Sequence, residues 1–267
     1  MDSEFQSYLD VALAAANRAG EILRDHFRRG VSSEEKLAGS DTQGLVTAAD
    51  LEAESTIIET IKESFPDHAF LAEESLASGD NASHLWVIDP LDGTNNFANG
   101  IPHFATSIGY WQNGEPTVGV VLDPMREEMF VAVRGSGVTL NGEAVEVNQH
   151  VEMREAMIAT GFYYDRGDMM TQTLRCIETL FRKEVRGIRR MGAASLDLAW
   201  VACGRYSAFF ELKLAPWDYA AARLMVTEGG GVFTDCLGAS MELEPGSVLA
   251  SNGKLHSEIV QLLGLSK

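Results

Sequence analysis

The stretch Trp86–Phe97 reads Trp-Val-Ile-Asp-Pro-Leu-Asp-Gly-Thr-Asn-Asn-Phe, and it constrains the chain more than any other. Leu85–Ile88 is a short apolar run of the kind that forms a buried strand. It leads straight into Asp89, Pro90, Asp92, Gly93 and Thr94. Pro90 lacks an N–H and fixes its own φ, which predicts that the strand's ladder ends there. Gly93 can take a positive φ or admit a close neighbour. Thr94 and Asn95 suit the start of a helical turn, whose free N–H groups favour an anion. Two carboxylates therefore sit at a strand end beside an anion site. Hard cations such as Mg²⁺ take oxygen ligands, often one or two carboxylates plus substrate phosphates. The competing reading is an ordinary Asp-Pro-x-Asp-Gly turn.

A second acidic cluster favours the metal. Leu71-Ala-Glu-Glu-Ser75 also follows a short apolar stretch, Ala69–Leu71. Two such clusters at successive strand ends would bring carboxylates together, and like charges that close raise each other's pKa unless a cation neutralises them. A calcium loop does not account for Asp89–Gly93, because the spaced oxygen ligands and closing Glu of a 12-residue loop are missing.

Charge narrows the class of partner. The chain of 267 residues carries 21 basic and 39 acidic side chains, a formal net charge of −18. That balance argues against nucleic acid and anionic membranes, which need a basic patch. It also repels phosphate esters, so bound cations would have to invert the local field. Cys176, Cys203 and Cys236 are far apart and lack metal-ligand spacing, as expected of core thiols in a reducing cytoplasm. Met1-Asp-Ser-Glu lacks a basic leader region, and no apolar run approaches the ~18 residues of a membrane span. The expectation is a soluble, cytoplasmic protein, 45% hydrophobic and able to bury a large core.

Four motifs in order carry a resemblance. Trp86–Thr94 with Asn96-Phe97 resembles the first signature of the inositol monophosphatase family, the lithium-sensitive, magnesium-dependent phosphatases. Leu45-Val-Thr-Ala-Ala-Asp50, Glu73-Glu74-Ser75, and Pro216-Trp-Asp-Tyr-Ala-Ala221 with Glu228-Gly229-Gly230 agree in sequence. The similarity extends from the first helix to about Ser251; Ala72 stands where a glycine is frequent, without loss of a carboxylate.

The resemblance implies a Mg²⁺-dependent phosphomonoesterase with two or three ions. Glu73, Asp89 and the carbonyl of Leu91 would hold the first ion, Asp89, Asp92 and Asp218 the second, and Glu73 again a third. Gly93 and Thr94 would bind the phosphate. Glu73, Thr94 and Asp50 would serve the in-line attack of metal-activated water, with Asp50 orienting Thr94. Gly192, Ala193 and Glu211, with Asp92 and Asp218, match positions that contact the substrate, and Glu74 is an outer carboxylate. A homodimer is also implied. Inositol monophosphate is the leading substrate; fructose 1,6-bisphosphate, histidinol phosphate and a 3′-phosphonucleotide stay open, although few basic residues near the motifs disfavour doubly phosphorylated ligands. A non-catalytic ligand-binding homologue would have lost a carboxylate or the threonine, and none is lost.

Plainer roles compete at single positions. Asp50 could simply cap a helix over Leu51–Phe65, Glu211 could be a solvated charge at a strand end, and Asp218 could sit at a helix start for the dipole alone. Lys36 falls in a polar stretch, Val31–Gln43, read as a mobile loop and a solvated charge.

The rest of the pattern organises the chain. Phe5, Leu9, Leu13, Ala16, Gly20, Leu23 and Phe27 predict an amphipathic first helix from Ser3 to near Gly30. Thr106–Trp111, Thr117–Leu122 and Glu128–Val133, separated by Asn113-Gly114 and Asp123-Pro124, predict a β-meander. After Val151, strands and helices alternate, including helices over Asp168–Arg182, Ala193–Cys203 and Pro216–Glu228. Residues 1–150 thus read as an α+β half carrying most metal ligands, and 151–267 as an α/β half closing the site in one compact unit. The family resemblance sharpens this to a layered αβαβα fold.

Overall fold

A computed structural model describes residues 3–30, 48–75, 82–163 and 165–265. Lys36, the stretch Val31–Gln43 and the start of the Leu45–Asp50 motif lie outside the described residues.

Helix α1 (Ser3–Arg29) buries Leu9, Ala16, Gly20 and Leu23 of the stripe that its periodicity predicts, together with Ala12 and Ala19 beside it, while Phe5, Leu13 and Phe27 are partly buried. Helix α2 (Ala48–Ser64) buries Ala53, Ile57 and Ile61, whereas Leu51 is exposed. Both pack on one face of a sheet built from β1 (Ala69–Ala72), β2 (His84–Asp92), β3 (Ala105–Gln112), β4 (Glu115–Asp123), β5 (Glu128–Val133), β6 (Val138–Leu140) and β7 (Glu143–Val145). The seven strands lie in chain order; β1 pairs with β2 in parallel and every later pair is antiparallel. Asn113-Gly114 (φ 54° and 80°) and Asn141-Gly142 (φ 50° and 85°) make the two-residue turns in which both central residues need positive φ.

Pro90 corrects an expectation. The strand does not end there; β2 continues to Asp92. Asp89 pairs with Ser107 and Asp92 with Ala105, so β2 carries one extra residue across this interval. The bulge absorbs the proline, which cannot donate to a central ladder, and it re-aims the side chains on either side. Helix α3 (Thr94–Ala98) follows directly.

The second half contributes β8 (Met157–Thr160), α4 (Asp168–Arg182), β9 (Gly187–Arg189), α5 (Ala194–Ala202), β10 (Ala208–Leu214), α6 (Pro216–Glu228), β11 (Val232–Thr234), β12 (Gly246–Ser251) and α7 (His256–Leu263). Its five-stranded sheet has the order β11-β12-β10-β8-β9. Adjacent residues of β10 face opposite ways, so Phe209 enters the core shared with α5 and α6 while Phe210 enters the core under α4 and α7. Helices α5 and α6 lie between the two sheets, and α4 and α7 cover the far face. The order of layers is therefore α1/α2, first sheet, α5/α6, second sheet, α4/α7: αβαβα.

Two glycines bring α6 onto the first sheet. A Cβ at Gly119 would lie 2.5 Å from the Ala221 carbonyl oxygen, and one at Gly109 would lie 3.1 Å from the Ala221 nitrogen. With Ala220–Ala222 opposite them, helix and sheet meet almost backbone to backbone. That contact fixes the height of the α6 N-terminus, and with it Asp218.

The cysteines are free thiols; Cys176 and Cys236 are buried and Cys203 is half-buried. No helix among the described residues is long and apolar enough to cross a membrane.

Candidate active site

Because β1 and β2 run parallel, their C-terminal ends adjoin. Glu73, just past β1, is held there by its N–H, which donates to the Ile88 carbonyl at 3.2 Å. Asp89 stands on β2 at the bulge, with one carboxylate oxygen accepting from the Leu91 N–H at 3.0 Å. The Thr106 hydroxyl donates to the Pro90 carbonyl at 3.0 Å and holds the bulged backbone.

Gly93 then turns the chain with φ 96°, the left-handed conformation that favours glycine. The turn is also too crowded for a side chain: a Cβ would fall 3.1 Å from the His103 carbonyl and 3.3 Å from the Ala193 methyl. The Thr94 hydroxyl lies 3.0 Å from the Leu91 carbonyl and 3.3 Å from Asp50 Oδ1. Asp50 is fully buried. It does not precede its helix, as the capping expectation required, because α2 begins at Ala48 and Asp50 lies inside the first turn. Asn96 ties this turn to the second half, since its Nδ2 donates to the carbonyls of His103 and Met191, each at 2.8 Å.

The second half supplies the remaining wall. Asp92 Oδ2 accepts from both the backbone N–H (2.7 Å) and the hydroxyl (2.6 Å) of Ser195, in the first turn of α5. Asp218 lies in the first turn of α6, and its Oδ2 accepts from the Ala215 N–H at 2.7 Å. Asp218 thus stands both at the helix start and beside the other carboxylates. Asp89, Asp92 and Asp218 each offer one carboxylate oxygen, and the three oxygens lie within 4.8 Å of one another.

Such crowding is costly while the groups are charged. Burial, then Asp218, pushes Glu73 up to about 8. Burial, then Asp92, pushes Asp218 up to about 7. Asp89 is raised well above the carboxylate range by burial and by Glu73. Asp92 is raised by burial, against the opposing hydrogen bonds from Ser195. Glu74 goes up to about 7 by burial and Asp50, and its N–H donates to Glu54 at 2.9 Å. The donor set is all oxygen, and among the described residues no histidine or cysteine lines the cavity. Buried, mutually repelling carboxylates of this kind fit a hard divalent cation, which removes the cost of ionising them together.

A cavity of about 280 Å³ opens above the cluster. Glu73, Asp89, Leu91, Asp92, Gly93, Thr94, Gly192, Ala193, Glu211 and Asp218 all line it, while Asp50 stands behind Thr94. Glu211 corrects another expectation: β10 runs on to Leu214, so Glu211 is not at the strand end, and it is only 8% exposed. A side chain at Gly161 would overlap its carboxylate, so this glycine makes its room. Burial, then Asp218, raises Glu211 well above its ordinary range.

Sequence reasoning missed Ser195, Arg190, Lys213 and Asp197, which join the site from the second half. Ser195 carries the only available signal, a hydroxyl residue in the first turn of a helix. The cavity is not poor in cations either: Arg190 and Lys213 line it, with Lys213 Nζ 4.6 Å from the centre of the Tyr163 ring.

Comparison with known proteins identifies the family and the fold. A model of the inositol monophosphatase family matches residues 4–266. The Nus factor SuhB of Pseudomonas aeruginosa is 43% identical over 96% of this chain and 95% of its own length. The inositol-1-monophosphatase of Synechocystis sp. is 40% identical, over 98% of this chain and 90% of that protein. The inositol monophosphatase structure from Anabaena (Nostoc) sp. superposes with a TM-score of 0.87 at 36% identity, covering 98% of this chain and 97% of that one. The chain belongs to the inositol monophosphatase family, a family of phosphoric monoester hydrolases.

Proposed function

We propose that the chain is a Mg²⁺-dependent phosphomonoesterase that hydrolyses a small polyol phosphate, with inositol monophosphate as the leading substrate, by attack of water on phosphorus. The observation that carries this reading is the Asp89–Asp92–Asp218 cluster, with its oxygens within 4.8 Å, in the same cavity as the Gly93-Thr94 turn. Glu73, Asp89, the Leu91 carbonyl, Asp92 and Asp218 would hold Mg²⁺, which would supply charge neutralisation and a lowered pKa for bound water.

The chain's own groups do the rest. Thr94 spends its proton on the Leu91 carbonyl or on Asp50, which leaves its oxygen lone pairs to accept from the attacking water and orient it. The backbone of Gly93 and Thr94, at the start of α3, binds the phosphate. Glu211 accepts from hydroxyls of the leaving alcohol, with Gly192 and Ala193 forming the wall beside it. A second reading, a doubly phosphorylated sugar such as fructose 1,6-bisphosphate, is favoured by one observation, the cations Arg190 and Lys213 in the cavity wall.

Phosphate release from inositol, sugar, histidinol and nucleotide phosphates, with Mg²⁺ and after chelation, tests the proposal. Highest kcat/KM on inositol monophosphate, abolished by chelator, is expected. Undiminished hydrolysis after exhaustive chelation contradicts the metal mechanism. Inhibition by millimolar lithium and a homodimer in solution extend the family likeness. Initial rates across a lithium titration and light scattering check them.

A further inference from the structure

Among the described residues, five enclosed side-chain polar atoms lack a hydrogen-bond partner. Four of them belong to His103, Asp197 and Trp200: Nδ1 and Nε2 of the imidazole, Oδ1 of the carboxylate and Nε1 of the indole. His103 lies between α3 and β3, while Asp197 and Trp200 stand one turn apart on α5 and share a face. His103 Nε2 is 4.0 Å from Asp197 Oδ1, beyond direct hydrogen bonding. The His103 and Trp200 rings meet edge-on at 5.5 Å. Burial, then Arg126, pushes His103 down to about 4, so its imidazole is neutral near pH 7 and the pair with Asp197 is not an ion pair.

The chemistry of these groups selects what joins them. An indole only donates, a carboxylate accepts, and a neutral imidazole offers one donor and one acceptor. A cation would face the indole N–H, and an anion would face the carboxylate. One water can serve one atom of each residue by accepting from the Trp200 indole and from one His103 nitrogen and donating to Asp197 Oδ1, and a gap of this length is one that a water bridges; the other His103 nitrogen is not part of this site.

Asp197 belongs to the cavity wall as well as to this cluster; burial, then Asp92, raises it well above the ordinary carboxylate range, and with or without its proton it keeps an oxygen that can accept. We infer that His103, Asp197 and Trp200 enclose a buried water-binding site, and that through this water His103 and Trp200 position the Asp197 carboxylate to accept, beside Glu211, a hydroxyl of the substrate's leaving alcohol. The inference rests on the phosphomonoesterase reading and deepens it. The substrate class is an alcohol that carries a free hydroxyl close to its phosphate. His103 and Trp200 are positioning residues, and Asp197 is the group that touches substrate.

Two measurements test it on the Mg²⁺-loaded full chain. A high-resolution crystal structure is expected to show one ordered water about 2.7–3.2 Å from both Asp197 Oδ1 and a His103 ring nitrogen. The kinetic readout is the ratio of kcat/KM for inositol 1-phosphate to that for p-nitrophenyl phosphate, whose leaving group has no further hydroxyl. Asp197→Asn and His103→Phe should lower that ratio about tenfold through KM for the polyol ester. His103→Gln, which keeps a donor and an acceptor, should restore most of it. Should His103→Phe fail to fold by circular dichroism, Asp197→Asn and His103→Gln carry the comparison. An ordered structure without that water, or an unchanged ratio in folded variants, overturns the inference. If the parent hydrolyses neither ester, the substrate role falls with the phosphomonoesterase reading, while the crystal structure still decides the water site.

Discussion

At the scale of single residues, Thr94 has one proton and two acceptors, Leu91 O at 3.0 Å and Asp50 Oδ1 at 3.3 Å. If the hydroxyl only stiffened the helix start, Thr94→Ala would cost about 1 kcal/mol of stability and little activity. With the role proposed above, turnover falls about a hundredfold while the fold and metal binding persist, and Thr94→Ser recovers most of it. Parallel kcat and melting measurements distinguish the cases; lost melting temperature with retained turnover leaves Thr94 a structural role alone. Titration supplies a second expectation. Glu73 and Asp218 are raised in the fold to about 8 and about 7, above their ordinary values of 4.5 and 3.8. Their contribution to metal-free stability is present below the ordinary values and is lost as pH rises through about 7 and 8. The melting temperature of metal-free protein should therefore fall between pH 5 and 8, and added Mg²⁺ should oppose the fall. A metal-free melting temperature that climbs across this interval contradicts it. Glu73, Asp89, Asp92 and Asp218 were legible in sequence because each sits in a short motif with a backbone reason for its place, whereas Asp197 was missed. Ser195 was not legible either, because its partner Asp92 is remote in sequence and only folding joins them.

At the scale of elements, helices α4 and α6 begin and end where sequence punctuation predicts, α6 because Pro216 opens its first turn. Strand β2 outran its prediction because the rule against proline in a ladder yields where a bulge removes the need for that N–H. Strands β6, β7 and β9, three residues each, are too short to show a period of two. The contact of α6 with the sheet was invisible as well, since a glycine in a strand does not announce what approaches it. This contact is testable. Gly119→Ala places a methyl 2.5 Å from a helix carbonyl, and neither backbone can yield as a flexible side chain would. The expected loss is about 1–3 kcal/mol, typical of an overpacked core. Because α6 carries Asp218, activity should fall further than stability explains. Denaturant unfolding together with kcat at saturating Mg²⁺ checks both; a stable Gly119→Ala protein with full activity contradicts the close-contact account.

At the scale of the whole molecule, the αβαβα order leaves the first sheet's acidic ends facing the middle layer. That layer is made of α5 and α6 from the second half, and both helix starts meet the cluster. The α5 start is capped by Asp92, and the α6 start presents Asp218. The resemblance named the layers; the residue pattern alone reached α+β followed by α/β, because periodicity reports which face an element buries and not which element it meets. A cation bound here would join side chains from both halves, so it should stabilise the whole molecule and not one part. At a free Mg²⁺ concentration about a hundred times its Kd, binding to the folded state alone adds about 2.7 kcal/mol. Calorimetry should then show one transition that moves upward with Mg²⁺ and returns on chelation. Asp218→Asn separates the two roles of that residue. If Asp218 only eases the start of α6, the variant loses roughly 0.3–1 kcal/mol and keeps the full Mg²⁺-induced shift and its turnover. As a metal ligand, its loss relieves repulsion among the buried carboxylates, so the metal-free protein melts no lower than the parent. The Mg²⁺-induced shift then shrinks and turnover collapses, because the cation has lost the ligand that ties it to the second half.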